Sequence, residues 1–312
     1  MEELKVFTGN AHPKLAQEVV EYLGIPLGKS EVFQFTNENI FVRILENVRA
    51  WDTFVIQPIC SPVNTSLVEL LIMLDALKRA SAERITAVIP YYGYGRSDKK
   101  DQPRIPITAR LVADLLTVAG ANRVLTVDLH AGQIQGFFSI PVDELTALDL
   151  LASHIKSWGV EDLVVVATDI GISKRARDMA EKLNAPLAIM EKRRIGNDDS
   201  AETLNVIGDV AGMTALTVDD EIDTAGSLVG VARTLMERGV KALYSCCTHP
   251  IFSGEAIRRI DASPVKKVVV SNTVPVNGDK ESAKISVVSI APLLGEAIHR
   301  IHTGQSIGAM FE

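Results

Sequence analysis

The segment from Val218 to Ser227 carries residues whose types and spacing are suited to chemistry. It reads Val-Asp-Asp-Glu-Ile-Asp-Thr-Ala-Gly-Ser, so four carboxylates lie within five positions and a short loop of small and hydroxyl residues follows. Backbone amides at a helix start, together with threonine and serine hydroxyls, can hold a phosphate. Neighbouring carboxylates would repel that phosphate unless sugar hydroxyls or a cation occupied them. The segment therefore suits a ligand that is half polyol and half phosphate, and it equally suits an acid-rich helix N-cap.

A second segment, from Pro90 to Asp101, combines aromatic and basic residues. It reads Pro-Tyr-Tyr-Gly-Tyr-Gly-Arg-Ser-Asp-Lys-Lys-Asp and holds three of the five tyrosines of the chain beside three bases. Such a rim could stack a base and bind a polyphosphate. A charge-rich stretch of this kind is more often a solvated loop, so spacing alone leaves both interpretations open.

The stretch from Gly24 to Ser30 resembles a nucleotide-binding P-loop but lacks its spacing. It reads Gly-Ile-Pro-Leu-Gly-Lys-Ser, with three residues between the glycines, and the strand-like Glu31–Phe35 follows. A P-loop has four residues there and continues into a helix. The stretch therefore predicts a plain helix-to-strand turn.

The elements that must position these segments are short Val- and Ile-rich runs that alternate with amphipathic stretches. The predicted central strands are Thr53–Gln57, Ile85–Ile89, Val124–Asp128, Leu163–Ala167, Ala215–Val218 and Val268–Ser271. Helices are predicted over Leu67–Leu77, Thr108–Ala119, Ser173–Leu183 and Ser227–Arg238. Strands buried on both faces and joined by helices form parallel sheets, so the predicted fold class is α/β.

The pattern runs twice along the chain, which is consistent with two similar halves joined near Leu145–Asp149. Acidic residues stand at the predicted ends of several strands, at Asp128, Asp169 and Asp219. Ligands in open α/β sheets bind beyond the carboxyl ends of the strands. The chemistry is therefore expected at these acids and in the loops after them.

Composition excludes several classes of protein. The 312 residues carry 32 basic and 39 acidic side chains, for a net charge of −7, and 47% are hydrophobic. This balance argues against intrinsic disorder and against a surface that wraps nucleic acid. Neither a membrane span nor a signal peptide is predicted. The three cysteines are expected to be buried in a reducing cytoplasm rather than to form a metal or disulfide site.

The Val218–Ser227 segment resembles the phosphoribosyl pyrophosphate loop of type I phosphoribosyltransferases and of ribose-phosphate pyrophosphokinases. Three other segments resemble the pyrophosphokinases in particular, namely Arg96–Asp101, Asp128–His130 and Thr168–Arg175. The similarity extends over essentially the whole chain, from Phe7 to Phe311. The chain is therefore identified as a member of the ribose-phosphate pyrophosphokinase family, similar to its bacterial class I members.

The resemblance implies two similar type I phosphoribosyltransferase-like domains, each a mostly parallel sheet flanked by helices. Residues 1–147 would form the ATP side and residues 148–312 the ribose 5-phosphate side, with the last helix packing back on the first domain. The implied reaction transfers the pyrophosphoryl group of ATP to the 1-hydroxyl of ribose 5-phosphate. Its products are AMP and phosphoribosyl pyrophosphate for nucleotide biosynthesis.

The resemblance also assigns residues to roles. The catalytic bases would be Lys192 and Arg194, in a segment similar to the mobile catalytic loop of the family. ATP would contact Phe35, Asn37, Glu38, Asn39, Arg96, Ser97, Lys99, Asp101 and His130. Ribose 5-phosphate would contact Arg194, Asp219, Asp220, Asp223, Thr224, Ala225, Gly226 and Ser227, and Mg²⁺ would bind His130 and Asp169. Asn39 and Ser97 stand where the family usually has Glu and Gln.

The family further implies a cytoplasmic homo-oligomer, built from dimers into a hexamer, with the ATP site near a subunit interface. Neither nucleic acid nor membrane is implied as a partner. Two alternatives are a type I phosphoribosyltransferase and a non-catalytic regulatory homologue. Two similar halves and the Arg96 segment count against the first, and the presence of Lys192 and Arg194 counts against the second.

Overall fold

The computed structural model describes residues 3–194 and 202–311, with only the backbone of residues 192–194 and 202–204. The chain divides into two compact units, of which the first contains residues 1–146 and 289–312 and the second contains residues 147–288. Within the described ranges, no helix is both long enough and apolar enough to cross a membrane.

The first unit is built on a five-stranded parallel sheet. Its strands, in the order in which they pair, are β1 (Leu4–Thr8), β4 (Asp52–Ile56), β5 (Arg84–Ile89), β6 (Arg123–Val127) and β7 (Val142–Leu145). Its helices are α1 (Pro13–Leu23), α2 (Val63–Arg79), α3 (Thr108–Ala119) and α8 (Ala291–Thr303). Strand β4 is buried along its whole length, as expected where a parallel sheet is covered on both faces.

Helix α1 follows from local sequence signals. The Nδ1 atom of His12 accepts a hydrogen bond of 3.3 Å from the amide of Leu15, and Pro13 occupies the first turn, where a missing amide hydrogen costs nothing. Gly24 ends the helix in the left-handed conformation at φ +68°, which glycine adopts without strain. The predicted helix-to-strand turn at Gly24–Ser30 is therefore confirmed.

An antiparallel hairpin, formed by β2 (Ser30–Gln34) and β3 (Ile40–Ile44), follows α1. The side chains of Val32, Val42 and Ile44 pack against the apolar core of the first unit. The opposite face carries Phe33 and Phe41, whose ring centroids lie 4.9 Å apart. The hairpin is thus fixed by its apolar face and presents aromatic rings on the other.

A buried polar cluster ties the β1–α1 connection to this hairpin. The carboxylate of Glu69 accepts hydrogen bonds from the amide and Nδ2 of Asn10, at 2.6 and 2.8 Å, and from Nε2 of Gln57 at 2.7 Å. Asn10 Nδ2 also donates to the carbonyl of Val32 at 3.2 Å. A Cβ atom at Gly9 would lie 2.5 Å from Glu69 Oε1. Only glycine fits there without displacing the cluster.

The second unit is built on a seven-stranded sheet. Its strands, in the order in which they pair, are β10 (Glu202–Ile207), β9 (Leu187–Arg194), β8 (Leu163–Ala167), β11 (Thr214–Ile222), β12 (Ala242–Pro250), β13 (Val265–Ser271) and β14 (Ile285–Val288). Among the described strand pairs of this sheet, only β9–β10 is antiparallel. Its helices are α4 (Leu148–Lys156), α5 (Ser173–Leu183), α6 (Gly226–Glu237) and α7 (Ala256–Ala262).

The order of the strands reverses between β8 and β11. The chain proceeds from β8 to β9 on one side, and from β11 through β12 and β13 to β14 on the other. Such a reversal opens a crevice beyond the carboxyl ends of the two central strands, where open α/β sheets bind their ligands. In the first unit the sheet runs in one direction from β1 to β7, without a reversal.

The predicted α/β class, with mostly parallel sheets flanked by helices, is confirmed. All six predicted central strands and the predicted helices form at or within a few residues of their expected positions. One strand is longer than predicted, because β11 continues through Asp219 and Asp220 to Ile222 instead of ending at Val218. Its neighbour β12 also continues, and residues 219–222 pair with residues 247–250.

Candidate active site

The carboxyl ends of β8 and β11 bring a hydroxyl and a carboxylate together at the crossover point of the second sheet, where the strand order reverses. Ala167 pairs with Val218, so the next residues on the two strands, Thr168 and Asp219, are neighbours. The Thr168 hydroxyl donates a hydrogen bond of 2.8 Å to Asp219 Oδ2. The polar end of this crevice is therefore built by two central strands.

Asp219 and Asp220 both fold back on the backbone. Asp219 Oδ1 accepts from the amide of Asp220 at 2.9 Å, and Asp220 Oδ1 accepts from the amide of Glu221 at 3.0 Å. Burial raises the pKa of Asp219 to about 7, and the hydrogen bond and charge of Asp220 raise it too, whereas the Thr168 hydroxyl lowers it. Sugar hydroxyls that donate to these oxygens would compensate for the lost hydration.

The loop that follows has the shape of an anion cradle. Residues 223–225 connect β11 to α6, which begins at Gly226. Ala225 adopts φ +59° and is buried, and Thr224, Gly226 and Ser227 are exposed. The amide of Val229 donates to the carbonyl of Ala225 at 3.1 Å, which closes the first helical turn. The helix start is thus exposed and carries two hydroxyl-bearing residues, Thr224 and Ser227, which is the setting that phosphate binding at a helix N-terminus requires.

Asp169 lies two residues beyond the end of β8 and is exposed. Its Oδ1 atom accepts a hydrogen bond of 3.1 Å from the amide of Ile172, which shapes the turn into α5. One turn further, Nη1 of Arg175 donates to the Thr248 hydroxyl at 3.1 Å. This hydrogen bond links α5 to the end of β12, which lies two strands from β8 in the sheet.

In the first unit, the predicted ATP segments after β5 and β6 lie side by side. A Cβ atom at Gly95 would be 3.6 Å from Cβ of His130. Nε2 of Gln133 donates a hydrogen bond of 2.7 Å to the buried carboxylate of Asp98. Arg96 lies in the first of these segments and is exposed.

The remaining ATP-contact predictions of this segment lie close by. Lys99 and Asp101 are exposed, and Ser97 is half-buried. The Ser97 hydroxyl donates to the Thr108 hydroxyl at 3.3 Å, at the start of α3. The segment is therefore anchored to α3 at Ser97 and presents charged groups to solvent on either side.

Of the three tyrosines in this segment, Tyr92 does not lie at a surface rim. Its ring is buried against Phe138, and its hydroxyl donates to the carbonyl of Ala109 at 2.9 Å. Burial raises the pKa of this phenol far above its ordinary value. Tyr91 is half-buried and Tyr94 is partly exposed, so Tyr92 belongs to the core and only its neighbours remain at the surface.

The hairpin tip between β2 and β3 holds four predicted ATP contacts, and all four are exposed: Phe35, Asn37, Glu38 and Asn39. Oδ1 of Asn37 accepts from the amide of Asn39 at 3.2 Å, and Glu38 adopts φ +68°. The Phe35 ring packs edge-on against Phe33 with centroids 5.1 Å apart. The tip therefore presents an aromatic surface beside carboxamide groups.

Lys192 and Arg194 lie on strand β9, paired with Leu204 and Glu202 of β10, rather than in a turn. Their side chains fall outside the described part of the structure. The polar stretch from Gly196 to Glu202 also resembles the catalytic loop of the family, and it lies outside the described residues except for the backbone of Glu202 at the start of β10.

Each of the two predicted magnesium residues would supply one ligand atom from its own sheet. His130 and Asp169 are both exposed, at the ends of different sheets. Across residues 3–194 and 202–311, no three His, Cys, Asp or Glu side chains form a cluster that could hold a metal by themselves. Mg²⁺ commonly binds one or two carboxylates together with substrate phosphates and water. Asp169 fits this pattern, and His130 fits less well because Mg²⁺ prefers oxygen.

Known proteins resemble the chain over its whole length. Residues 4–120 match the N-terminal domain of ribose phosphate pyrophosphokinase, and residues 196–312 match a phosphoribosyl synthetase-associated domain. A ribose-phosphate pyrophosphokinase of Caldanaerobacter subterraneus is 55% identical over 310 residues, which cover 99% of this chain and 98% of that protein. The chain belongs to the ribose-phosphate pyrophosphokinase family.

Other members of the pyrophosphokinase family are similarly close. A ribose-phosphate pyrophosphokinase of Clostridium acetobutylicum is 52% identical, with 99% of this chain and 97% of that protein covered. The crystal structure of phosphoribosylpyrophosphate synthetase from Mycobacterium smegmatis superimposes with a TM-score of 0.92 at 43% identity, and covers 97% of this chain and 100% of that one. The predicted family, fold class and enzymatic activity are confirmed, and both alternatives are disfavoured.

Sequence reasoning missed two residues that support the candidate site. Thr168 contacts Asp219, and Arg259 of α7 donates from Nη1 to the carbonyl of Thr224 at 2.9 Å. Thr168 could have been found, since it precedes a predicted ligand at a strand end. Arg259 had no such signal, because it lies 35 residues from its partner on a helix without a motif.

Proposed function

We propose that the chain transfers the β,γ-pyrophosphoryl group of ATP to the 1-hydroxyl of ribose 5-phosphate, with Mg²⁺ as cofactor. The products are AMP and phosphoribosyl pyrophosphate. The observation that carries this proposal is the acid pair and anion cradle at the end of β11, at the crossover point of the second sheet, in a chain of this family.

On the ribose side, the carboxylates of Asp219 and Asp220 accept hydrogen bonds from the 2- and 3-hydroxyls. The 5-phosphate binds the loop at the start of α6, through backbone amides and hydroxyls of Asp223, Thr224, Ala225, Gly226 and Ser227. The separation in sequence supports assigning the acids to the sugar and the loop to the phosphate, because Asp220 precedes the first loop residue, Asp223, by three positions. Acids at the sugar and amides at the phosphate place each ligand group against the opposite partial charge.

On the ATP side, the aromatic tip of the hairpin and the charged segments after β5 and β6 contact the nucleotide. Phe35 supplies a ring for the base, and Asn37, Glu38 and Asn39 supply polar groups beside it. Arg96, Ser97, Lys99, Asp101 and His130 complete the ATP contacts. The contact of Gly95 with His130 and the Gln133–Asp98 hydrogen bond support a shared role for the two segments.

The transfer step forms one bond and breaks one bond. The oxygen of the 1-hydroxyl bonds to the β-phosphorus, and the bond from that phosphorus to the oxygen bridging to the α-phosphate breaks. AMP leaves with the bridging oxygen, and the hydroxyl proton passes to water. Lys192 and Arg194 stabilise the charge that develops on the transferring group, and Arg194 also contacts ribose 5-phosphate.

When bound, Mg²⁺ neutralises charge on the polyphosphate and polarises the phosphorus under attack. Asp169 and His130 are the residues that would contact it. The exposure of Asp169 and its fixed turn support this role, because the carboxylate is oriented by the Ile172 amide before any ligand binds.

We further propose two domains, residues 1–147 and 148–312, with the last helix packing back on the first domain, and an oligomer built from dimers into a hexamer. The exposed aromatic rings of Phe33 and Phe35 at the hairpin support a subunit contact near the ATP residues. The three cysteines, all within the described ranges, are buried and form no disulfide bond, which suits a reducing compartment such as the cytoplasm.

The test is a product assay. The purified protein is incubated with ATP, Mg²⁺ and ribose 5-phosphate, and the nucleotide products are separated. We expect AMP and phosphoribosyl pyrophosphate in equal amounts. Formation of ADP would indicate a simple kinase and would overturn the proposal, as would the absence of turnover.

A matched pair of variants tests the site itself. Asp220→Asn removes one carboxylate of the acid pair, and Asp279→Asn removes an exposed carboxylate elsewhere in the second unit. We expect the first to raise the KM for ribose 5-phosphate about ten-fold or more, as for loss of a charged hydrogen bond. The second should leave both KM values unchanged.

A further inference from the structure

Three consecutive carbonyls at the end of β11 accept hydrogen bonds from one segment, residues 252–259. The carbonyl of Ile222 accepts from the amide of Phe252 at 3.1 Å, and the carbonyl of Asp223 accepts from the amide of Ser253 at 3.0 Å. The third bond is of a different kind, because the carbonyl of Thr224 accepts from a side chain, Nη1 of Arg259, at 2.9 Å.

These bonds fix the direction of the loop. A peptide group that holds its carbonyl towards residues 252–259 directs its amide to the opposite side. An anion cradle needs that arrangement, because carbonyl oxygens facing the phosphate would repel it. The bond at Thr224 is decisive, since the next residue, Ala225, adopts φ +59° and the chain direction changes there before α6 begins.

Arg259 also brings positive charge to the start of α6. A Cβ atom at Gly226 would lie 3.8 Å from Nη1 of Arg259, so the guanidinium lies beside the first residue of the helix. Its charge adds to the positive end of the helix dipole. A guanidinium remains charged at all working pH values.

We propose that Arg259 is a positioning residue for the 5-phosphate of the substrate. It holds the Thr224 peptide in the anion-binding direction and adds positive charge beside the cradle. This inference rests on the proposed function, since it concerns the same loop. It predicts a role specific to ribose 5-phosphate, because no described contact joins Arg259 to the residues assigned to ATP.

The neighbouring arginine provides a matched control on the same helix. Arg258 forms a salt bridge of 2.9 Å with Glu255 and its side chain is 86% exposed. It contributes the same charge to the same seven-residue helix but has no contact with the loop among the bonds described. Loss of net charge and loss of the Thr224 contact can therefore be separated.

The experiment compares Arg259→Met, Arg259→Lys and Arg258→Met in steady-state assays. Methionine keeps an apolar stem but removes the donor and the charge. We expect Arg259→Met to raise the KM for ribose 5-phosphate by about ten-fold, as for loss of a charge-assisted hydrogen bond. The KM for ATP should stay within two-fold, Arg259→Lys should recover part of the loss, and Arg258→Met should behave like the wild type.

Binding of ribose 5-phosphate without ATP, measured by titration calorimetry, gives a second readout that does not depend on turnover. It should weaken by the same factor in Arg259→Met, at an unchanged melting temperature. An unchanged KM and affinity would overturn the inference while the family activity stands. An equal loss for ATP and ribose 5-phosphate, or a loss in the Arg258 control, would also overturn it. A wild-type protein that forms no AMP would instead reject the proposed function.

Discussion

Opposing effects act on the pKa of Asp219. Burial and the neighbouring Asp220 raise its pKa to about 7, and the Thr168 hydroxyl opposes them through a hydrogen bond of 2.8 Å. The structure therefore keeps a carboxylate in an unfavourable environment at the point where sugar hydroxyls are proposed to bind. Binding sites commonly retain such groups at a cost in stability.

The first prediction concerns the stability cost of Asp219. In the folded protein the pKa of Asp219 is about 7, whereas the pKa of an unfolded aspartate is about 3.9. This group therefore destabilises the fold progressively as the pH rises between these values. Asp219→Asn should raise the melting temperature at pH 8 by a few degrees, since about 1 kcal/mol corresponds to roughly 2–8 °C.

The same variant should raise the melting temperature less at pH 4.5, where only a small part of the cost of Asp219 has developed. Differential scanning calorimetry at both pH values checks this. Asp279→Asn, an exposed acid, is the control and should change neither value. A stabilisation that is equal at the two pH values would contradict the assignment.

The second prediction concerns Thr168. Thr168→Val keeps the shape but removes the donor to Asp219, so the carboxyl becomes harder to ionise. The KM for ribose 5-phosphate should rise about ten-fold at pH 7. The KM should fall as Asp219 ionises, and in the variant this fall should occur at a higher pH. Thr168→Ser retains the hydroxyl and should restore both, which a purely steric role would not explain.

At the scale of elements, strand ends and turns carry the proposed site residues, and two of these turns are held in place by other segments of the chain. The turn after β1 is fixed by the buried carboxylate of Glu69, through Asn10, which also holds β2 of the hairpin. The loop after β11 is fixed by residues 252–259. In both cases, a segment distant in sequence decides the conformation of a connection.

The third prediction tests the first of these supports. In Gly9→Ala the new Cβ would lie 2.5 Å from Glu69 Oε1, between two buried side chains. Overpacking of this kind costs about 1–3 kcal/mol. Gly136→Ala is the control, because a Cβ atom there would meet nothing within 4 Å. Urea denaturation should show a lower midpoint for Gly9→Ala only.

The fourth prediction concerns strand β9. Lys192→Ala should lower kcat on the order of 10²-fold or more, as for the loss of one preorganised electrostatic group. Lys182→Ala, which removes a lysine paired with Asp149, should leave kcat unchanged. Near-normal turnover of Lys192→Ala with unchanged ATP binding would exclude Lys192 from the transfer step.

At the scale of the whole molecule, the last helix belongs to the first unit. Helix α8 packs against α1, and His302 Nδ1 lies 2.9 Å from the buried carboxylate of Asp52, which also pairs with Arg84. Leu294, Ala297 and Ile298 are fully buried on α8. The first unit therefore consists of two separate stretches of chain.

The fifth prediction follows from this packing. Leu294→Ala should destabilise the protein by about 2–5 kcal/mol, as for a large-to-small change in a core. Leu111→Ala changes a leucine that is 55% exposed on α3 and should have an effect below about 0.5 kcal/mol. Thermal unfolding of the two variants makes the comparison.

Much of this architecture could be predicted from the sequence. Strands such as Leu163–Ala167 are continuous apolar runs, and Ser173–Leu183 has helical periodicity, so local pattern determined both. The extension of β11 depends on its partner β12, and the burial of Tyr92 depends on α3. Contacts of this kind arise between segments far apart in the sequence, which a local pattern does not contain.

The split composition of the first unit also has a consequence for synthesis. The ribosome makes residues 1–146, then the entire second unit, and only then residues 291–303 of α8. At about 5–20 residues per second, the apolar face of α1 that includes Val19 and Val20 waits roughly 14 to 55 seconds for its covering helix. The second unit can be complete while the first is still open, so nascent chains of this protein carry an exposed apolar surface that chaperones can recognise.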